Sequence, residues 1–501
     1  MSPIDLSLPT GIAYALLPEL MLSAWSLVVL LVIAWRHRTA DDSRLAGWLS
    51  LAGILASGAA LAVLWTGGAR PAGLAQMIAL DDYRYAATAI ILFAAAGTVL
   101  VSLRYMEREE LLAPEYYALI LLATVGMMFL AGAEDFMVLF LGLEVMSVAV
   151  YVLAGYDRRN VFSSEAALKY FLIGAFASGF LLYGIALVYG ATGHTNFQLV
   201  GAQLADGRVP MLATLGLGLL LIGFGFKVAA VPFHMWAPDV YDGAPTPVTG
   251  FMATGVKVAA FAALVRVLFE SFPAAEQYWQ PVIGVLAVAT MVVGNLIALA
   301  QRSLKRMLAY SSVAHAGYLL AALWPGTRLG AGSVMMYLLA YTLTTLAAFA
   351  LLASLGRGGE RDVRYDDIAG LAASRPWTAF GLSICMLSFI GFPGTIGFIG
   401  KWYILQAIIV ESHYILPVVM VVTSVISVGY YLPVIMSMYM RPAAPSPSYA
   451  GLSISPAGAA IVAVMLVAVI ILGILPAETI DVTLRSAGTL VRGGSPMAQL
   501  P

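Results

Sequence analysis

Charge is scarce in this chain. Of its 501 residues only 11% are Asp, Glu, Lys or Arg, and 26 Lys+Arg against 27 Asp+Glu leave a formal net charge of -1. An ordinary soluble domain carries roughly 25% charged residues. With 61% hydrophobic residues and a mean hydropathy of +0.91, no soluble core hides this much apolar surface. Disordered and collagen-like chains are excluded by the same composition. No basic excess exists to neutralise phosphates, which argues against a nucleic-acid partner. Cysteine is nearly absent: Cys385 stands alone, ruling out an intrachain disulfide, a Cys-ligated zinc site and an iron–sulfur cluster. No glycine-rich phosphate loop, dinucleotide fingerprint or hydrolase elbow occurs in a strand–helix context. The chain is therefore expected to bind no cofactor and no metal itself. What remains is a polytopic membrane protein.

Fourteen apolar runs are long enough for the roughly 20 residues that cross about 30 Å of hydrocarbon. They lie at about 11–35, 45–66, 84–104, 115–133, 135–155, 163–190, 210–231, 247–269, 277–300, 304–324, 329–355, 377–411, 414–440 and 456–476. The runs are continuous rather than alternating, which predicts helices and not barrel strands. Residues 1–10 lack a basic start and carry Asp5, so the first run is expected to be a retained helix rather than a cleaved signal. No soluble domain fits between the runs: 356–376 reads as a loop and 441–455 as a Pro/Ser-rich linker. The expectation is one all-α membrane domain over 1–501.

Basic residues orient it. With the N-terminus outside, the inner loops carry Arg36, Arg38, Arg44, Arg104, Arg108, Arg158, Arg159, Arg302, Lys305, Arg306, Arg357, Arg361, Arg364, Arg375 and Arg441. The outer side carries only Arg70, Arg84, Arg208, Arg266, Arg328, Arg485 and Arg492. This bias predicts both termini outside. The four remaining lysines, Lys169, Lys227, Lys257 and Lys401, all fall inside apolar runs.

Two segments break the helical pattern. Run 377–411 would be about 52 Å long at 1.5 Å per residue, and Gly391-Phe392-Pro393-Gly394 near its middle should interrupt it. The stretch after 231, opening with Pro232, is apolar but punctuated by proline and reads as the second half of another broken helix. Broken helices in corresponding places point to inverted repeats. Gly223-Phe224-Gly225-Phe226-Lys227 also echoes Gly397-Phe398-Ile399-Gly400-Lys401. Five helices per repeat would pair 115–269 (spans 4–8) with 277–440 (spans 9–13), after three N-terminal helices in 11–104 and before a last helix at 456–476.

Ionisable groups at membrane depth are costly and persist where they have a partner, water or a task. Glu144 lies about 14 Å into span 5 by helix rise, near the midplane. Lys257 is central in span 8, and Lys401 follows the second break. Lys227 either reaches water, if its helix ends at 231, or lies beside an unwound turn. Lys169 is close enough to its span's start to extend toward the interface. His315 is central in span 10, where a hydrogen-bonded core histidine is the plain alternative. His234, beside the first break, is a proton shuttle or a local hydrogen-bonding partner. His37, His194 and His413 lie in or near loops and are expected to be solvated. Burial disfavours a charged lysine and a nearby carboxylate favours it. Amines set between these influences take up and release protons, so the set reads as a relay.

The same residues carry a family resemblance. Gly142-Leu143-Glu144, Phe226-Lys227, the run from Val231 through Pro232-Phe233-His234-Met235-Trp236-Ala237-Pro238-Asp239-Val240-Tyr241 to Pro247, Lys305-Arg306-Met307-Leu308-Ala309-Tyr310-Ser311-Ser312, and Gly391-Phe392-Pro393 to Lys401 resemble the antiporter-like membrane subunits of respiratory complex I. The likeness covers nearly the whole length, and the PFHxWxPDVYxGAPTPV run is highly specific. It implies fourteen helices with two inverted five-helix repeats and discontinuous helices 7 and 12. It implies relay positions at Glu144, Lys227, Lys257 and Lys401; His315, Lys169 and His234 remain secondary candidates from their places in the spans. Lysine rather than glutamate at 401 favours the N branch of the family over the M branch, and the lack of a long C-terminal extension argues against the L branch. Gly394 departs from a second proline common in the family. The implied setting is a bacterial inner membrane and a hetero-oligomer of membrane subunits, with NADH, FMN, iron–sulfur clusters and quinone in partner subunits. The alternatives are a subunit of a multi-subunit Na⁺/H⁺ antiporter and a mainly structural scaffold.

Overall fold

The computed structural model describes residues 13–36, 40–67, 77–111, 114–205, 209–355, 363–411, 414–442 and 455–490. Residues 1–10, His37, His413, Arg38, Arg70, Arg208, Arg357, Arg361, Arg492, and parts of the 356–376 loop and 441–455 linker lie outside the described residues. Among the described residues the chain is helical, with three isolated β-bridges and no strand. Among the described residues, twelve helices are long and apolar enough to cross a membrane. Of the other two runs, 304–324 folds as the Leu304–Leu323 helix, and 377–411 divides into Pro376–Ile390 and Ile396–Val410.

Polar side chains start several of these helices. Asp135 accepts from Met137 N at 2.8 Å, Asn160 from Phe162 N at 3.0 Å, Ser303 from Arg306 N at 3.3 Å and Thr327 from Gly330 N at 3.2 Å. Each satisfies a backbone N–H that the first turn leaves unpaired. The β-bridges tie loops together: Ile78 pairs with Ala133 and Asp135 with Asn196 at one face, and Ser303 with Arg364 at the other. Between the faces, Thr246–Ser271, Leu304–Leu323 and Arg328–Ala353 are almost wholly buried. Around them Val161–Thr192, Ile415–Met440 and Pro456–Ile474 expose apolar rows such as Phe176, Val425 and Val464. An apolar exterior around an interior rich in Ser, Thr and Tyr is what a bilayer selects. The 11-residue Ala477–Ala487 helix was invisible as an apolar run because it is half polar; it packs on the Arg328–Ala353 helix, where Arg328 Nε donates to Leu484 O at 3.2 Å.

Two of the arginines assigned to the outer side are buried in helices rather than solvated. Arg84 and Arg266 lie in the Asp82–Arg108 and Thr246–Ser271 helices, 1% and 0% exposed. Arg84 Nη2 reaches Glu19 Oε1 at 2.7 Å, and its Nη1 donates to Ala79 O at 2.7 Å. A guanidinium stays buried where oxygens meet its fork of donors.

Close helix approach sets the position of Glu144. A Cβ on Gly126 would lie 2.4 Å from Met146 N, and one on Gly142 would lie 2.7 Å from Leu130 N. These glycines let the Glu115–Gly132 and Phe136–Ala154 backbones touch. Gly142→Val should therefore force the pair apart and destabilise the protein by about 1–3 kcal/mol. Thermal unfolding of the purified protein in detergent measures this, and an unchanged midpoint would show that the contact is not needed.

Candidate functional site

Helical periodicity places Glu144, Ser147 and Tyr151 on one face of the Phe136–Ala154 helix. Ser178 donates to Glu144 Oε1 at 2.5 Å. Lys227, 3% exposed in the last turn of Met211–Val228, meets the same face. Its Nζ donates to Ser147 Oγ at 2.7 Å and Tyr151 Oη at 3.4 Å. The rings of Tyr151, Tyr170 and Phe226 lie 5.2, 5.6 and 5.6 Å from the ammonium. Hydroxyls and ring faces hold Lys227, and Glu144 stands one helical turn from its serine.

The helix then breaks. Ala229 adopts left-handed φ 59, and regular helix resumes at Trp236–Gly243. Trp236 Nε1 donates back to Phe226 O at 3.0 Å, and Val231 N donates to Thr290 Oγ1 at 2.9 Å. Both bonds use backbone groups that the break frees. Tyr170 stacks on Trp236 at 4.4 Å, and Trp236 meets Tyr241 edge-on at 5.9 Å. This aromatic wall leads from Lys227 toward the next lysine.

Lys257 follows a π-helical turn, Met252–Val256, a feature common at functional sites. Its buried Nζ donates to Ser312 O and Ser312 Oγ, both at 2.6 Å, with Tyr341 at 5.0 Å. Adjacent Ser311 hydrogen-bonds Tyr431, whose hydroxyl lies 3.1 Å from His315 Nε2. His315 Nδ1 shares a 2.6 Å hydrogen bond with Tyr337 Oη. The Tyr318 ring lies 5.6 Å from His315 and 4.8 Å from Lys401 Nζ. Tyr430 donates to Asn295 Oδ1 at 2.9 Å, and Asn295 Nδ2 approaches Tyr318 Oη at 3.4 Å.

Lys401 closes the row. It sits in Ile396–Val410, after the break at 391–395. Its Nζ donates to Phe389 O at 2.9 Å, Ile390 O at 3.0 Å and Ser424 Oγ at 3.2 Å. Phe389 and Ile390 end the preceding half-helix, so the amine meets carbonyls that have no helical partner, at the negative end of the helix dipole. An open groove of about 220 Å³ beside it is lined by Gly391, Trp402 and Ser424 among others. The two G-F-x-x-K pentapeptides sit on opposite sides of their breaks: Lys227 precedes its break and Lys401 follows its own.

Other candidates lie apart. Lys169 is part-exposed and pairs with Glu165 at 2.6 Å and Asp239 at 2.8 Å; Arg306 joins Asp239 at 3.1 Å. His234 is half-buried within the first break, next to exposed Pro232. His194 is half-buried rather than fully solvated. Pro393 is exposed, and Gly391 and Gly394 take left-handed φ of 85 and 90. Reading the charges alone missed Ser147, Tyr151, Ser312, Tyr337 and Tyr431. Spacing held part of the signal: Ser311, His315 and Tyr318 stand at i, i+4 and i+7 on one helix.

The row from Glu144 to Lys401 lies inside residues 133–427, which match the family described as NADH:quinone oxidoreductase/Mrp antiporter, TM. The chain belongs to that family. It is 43% identical to NADH-quinone oxidoreductase subunit N of Gemmatimonas aurantiaca, covering 97% of this chain and 96% of that protein. Among solved structures of the family, it matches a chain of respiratory complex I from Thermus thermophilus with bound Aureothin at a TM-score of 0.77 and 35% identity, covering 94% of this chain and 100% of that one. A chain of the Mrp complex from Dietzia sp. shares the antiporter fold at a TM-score of 0.84 and 21% identity, over 96% and 98% of the two chains.

Gly391 tests the second break. A Cβ there would lie 3.0 Å from Lys401 Cδ on a left-handed backbone. Gly391→Ala should cost about 1–2 kcal/mol through backbone strain alone. Thermal unfolding in detergent reads this cost, and wild-type stability would mean the break relaxes freely.

Proposed function

We propose that this chain is a proton-translocating membrane subunit of a respiratory NADH:quinone oxidoreductase. The observation that carries the reading is the row of buried amines, Lys227, Lys257 and Lys401, each held by neutral oxygens and followed or joined by hydroxyls and His315. A protonated lysine there keeps its hydrogen bonds, and a neutral one leaves no buried carboxylate stranded. Protons enter from the inner face to Lys227, cross by Lys257 and His315 to Lys401, and leave outward. Lys169 stands near the inner mouth, paired with Asp239 in the network that Arg306 joins, and His234 lies in the first break. Glu144 receives the coupling signal. A charge or conformational change there alters how strongly Lys227 holds its proton.

NADH oxidation and quinone reduction take place in partner subunits, which carry FMN and iron–sulfur clusters. The chain sits in a bacterial inner membrane with both termini periplasmic. Its broken helices belong to two inverted five-helix repeats, 115–269 and 277–440. Neighbouring membrane subunits cover exposed positions in the breaks, such as Met235 and Phe392, because lipid does not tolerate irregular backbone. The shared fold with an Mrp chain keeps a Na⁺/H⁺ antiporter subunit as the second reading; identity of 43% to a subunit N over nearly the full length favours the first.

Lys227→Ala, assayed in the assembled complex, should lower proton pumping by roughly 10²-fold, as removal of a positioned proton-transfer group does. Proton uptake into inverted vesicles driven by NADH reads the effect. Wild-type pumping with normal assembly would remove this lysine from the path, and Na⁺-dependent transport without NADH would favour the antiporter.

A further inference from the structure

The last membrane helix ends against the second break. Pro456–Ile474 buries one stripe, Gly458, Val462, Met465, Val469 and Gly473, and is exposed or half-buried elsewhere. The spacing of four, three, four and four residues keeps the stripe on one face. Its last member meets the break. A Cβ on Gly473 would lie 2.4 Å from Thr395 C, 2.5 Å from Thr395 Cα and 2.6 Å from Gly394 O. All three are backbone atoms, so no side-chain rotation makes room for a methyl group there. The glycine lets the two backbones touch, and Thr395 is buried at the contact.

Thr395 is where the second half-helix starts. It precedes Ile396–Val410, and its hydroxyl turns back to donate to Phe392 O at 2.7 Å. Phe392 N donates to Leu387 O at 2.9 Å, and Gly391 N to Ser388 O at 3.0 Å. These bonds tie Thr395 to the end of the first half-helix, whose Phe389 and Ile390 carbonyls receive Lys401. Lys401 lies six residue steps past Thr395, about 9 Å along the half-helix. The distance from amine to carbonyls therefore depends on how the two half-helices meet, and Gly473 backs that junction. Beyond Ile474 the chain turns. Leu475 N donates to Ile471 O at 2.7 Å, and Ile480 N to Pro476 O at 2.9 Å as Ala477–Ala487 begins. This half-polar helix packs on Arg328–Ala353. A Cβ on Gly332 would lie 2.8 Å from Leu484 Cδ2, and one on Gly488 would lie 2.8 Å from Arg328 Cζ. Arg328–Ala353 also carries Tyr337, the hydroxyl partner of His315 Nδ1. Tyr337 packs on the half-helix of Lys401: a Cβ on Gly400 would lie 2.7 Å from Tyr337 Cδ2. The contacts close a ring, with Gly473 on Thr395, Leu484 on Gly332 and Tyr337 on Gly400.

We propose that residues 456–487 form a clip that positions Lys401: Gly473 seats the second break, and the Ala477–Ala487 helix anchors that seat to the helix bearing Tyr337. Gly473 and Leu484 are positioning residues. One acts on the amine through Thr395, the other through Arg328–Ala353. That the clip holds the break follows from the contacts alone; that the geometry of the break governs proton transfer at Lys401 rests on the proposed function.

The test is hydrogen–deuterium exchange of the assembled complex, read together with protons pumped per NADH. Gly473→Ala puts a methyl group where backbone atoms stand. It should raise amide exchange at 391–395 about tenfold, with the first break at 229–235 unchanged. Protons pumped per NADH should fall roughly tenfold, within what a misplacement of about 1 Å costs a positioned group. Leu484→Ala loosens the anchor without adding bulk at the break and should raise exchange at the same amides by a smaller factor. Val464→Ala, on the exposed face of the same helix, should change neither reading. Wild-type exchange at 391–395 in Gly473→Ala overturns the clip, and so does an equal rise at 229–235, which marks general loosening. A purely structural helix would lower the yield of complex and leave both readings per complex at wild type, which also overturns it. Where Gly473→Ala does not assemble, Leu484→Ala carries the exchange test, and wild-type exchange there overturns the clip. Faster exchange at 391–395 with unchanged pumping overturns the tie to Lys401 while leaving the Lys227 result to stand or fall on its own assay.

Discussion

What a buried cation bonds to decides whether its charge is fixed or able to exchange, and this chain sets its buried cations in two different surroundings. Its lysines rest on neutral oxygens: Ser147 for Lys227, the Ser312 backbone and hydroxyl for Lys257, and two carbonyls with Ser424 for Lys401. Its deeply buried arginines rest on carboxylates: Glu19 for Arg84, and Asp81 with Glu270 for Arg266. An arginine never gives up its proton, so a carboxylate beside it makes a permanent pair. A lysine against a carbonyl keeps a hydrogen bond in either protonation state of the amine nitrogen, and no partner charge is abandoned when the proton leaves.

The broken helices supply acceptors that an intact helix would hide. In the second break the half-helix ends at Ile390, freeing the carbonyls that Lys401 takes. Gly391 makes this geometry available, because a side chain there would press on the lysine stem. The first break works differently. The carbonyl of Phe226 is taken by the Trp236 indole, so Lys227 is left to the hydroxyls of Ser147 and Tyr151. One amine is tied to the dipole of a helix end and the other to side chains on a neighbouring helix that also carries Glu144. A displacement of the Phe136–Ala154 helix therefore acts on Lys227 directly and on Lys401 only through the residues between.

Long apolar runs made the helices legible, since no other element satisfies a backbone in lipid. The broken run at 377–411 was legible from its length and its Gly/Pro cluster. The deep lysines were legible because ammonium groups are conspicuous in oil. The tyrosines and serines that join them were not, because Ser and Tyr are common in apolar helices and only three-dimensional convergence singles them out. The burial and pairing of Arg84 and Arg266 were not legible for a related reason. Both arginines fall near the ends of apolar runs, where charge is ordinarily solvated, and the acids that bury them come from distant segments: Glu19 from the first helix, and Asp81 and Glu134 from loops.

The Thr246–Ser271 helix joins these two electrostatic regimes. It is buried along its length, carrying Lys257 on neutral oxygens near its middle and Arg266 among carboxylates near its end. Nine residue steps separate them, about 14 Å of helix at 1.5 Å per residue. Arg266 ties this helix to the loops before Asp82–Arg108 and before Phe136–Ala154, the latter being the helix of Glu144. The same guanidinium therefore ties the helix that carries Lys257 to the loop before the element bearing Glu144. The helix is held at Arg266 and widened by one π turn just before Lys257 and by another just after Arg266, at Val267–Ser271.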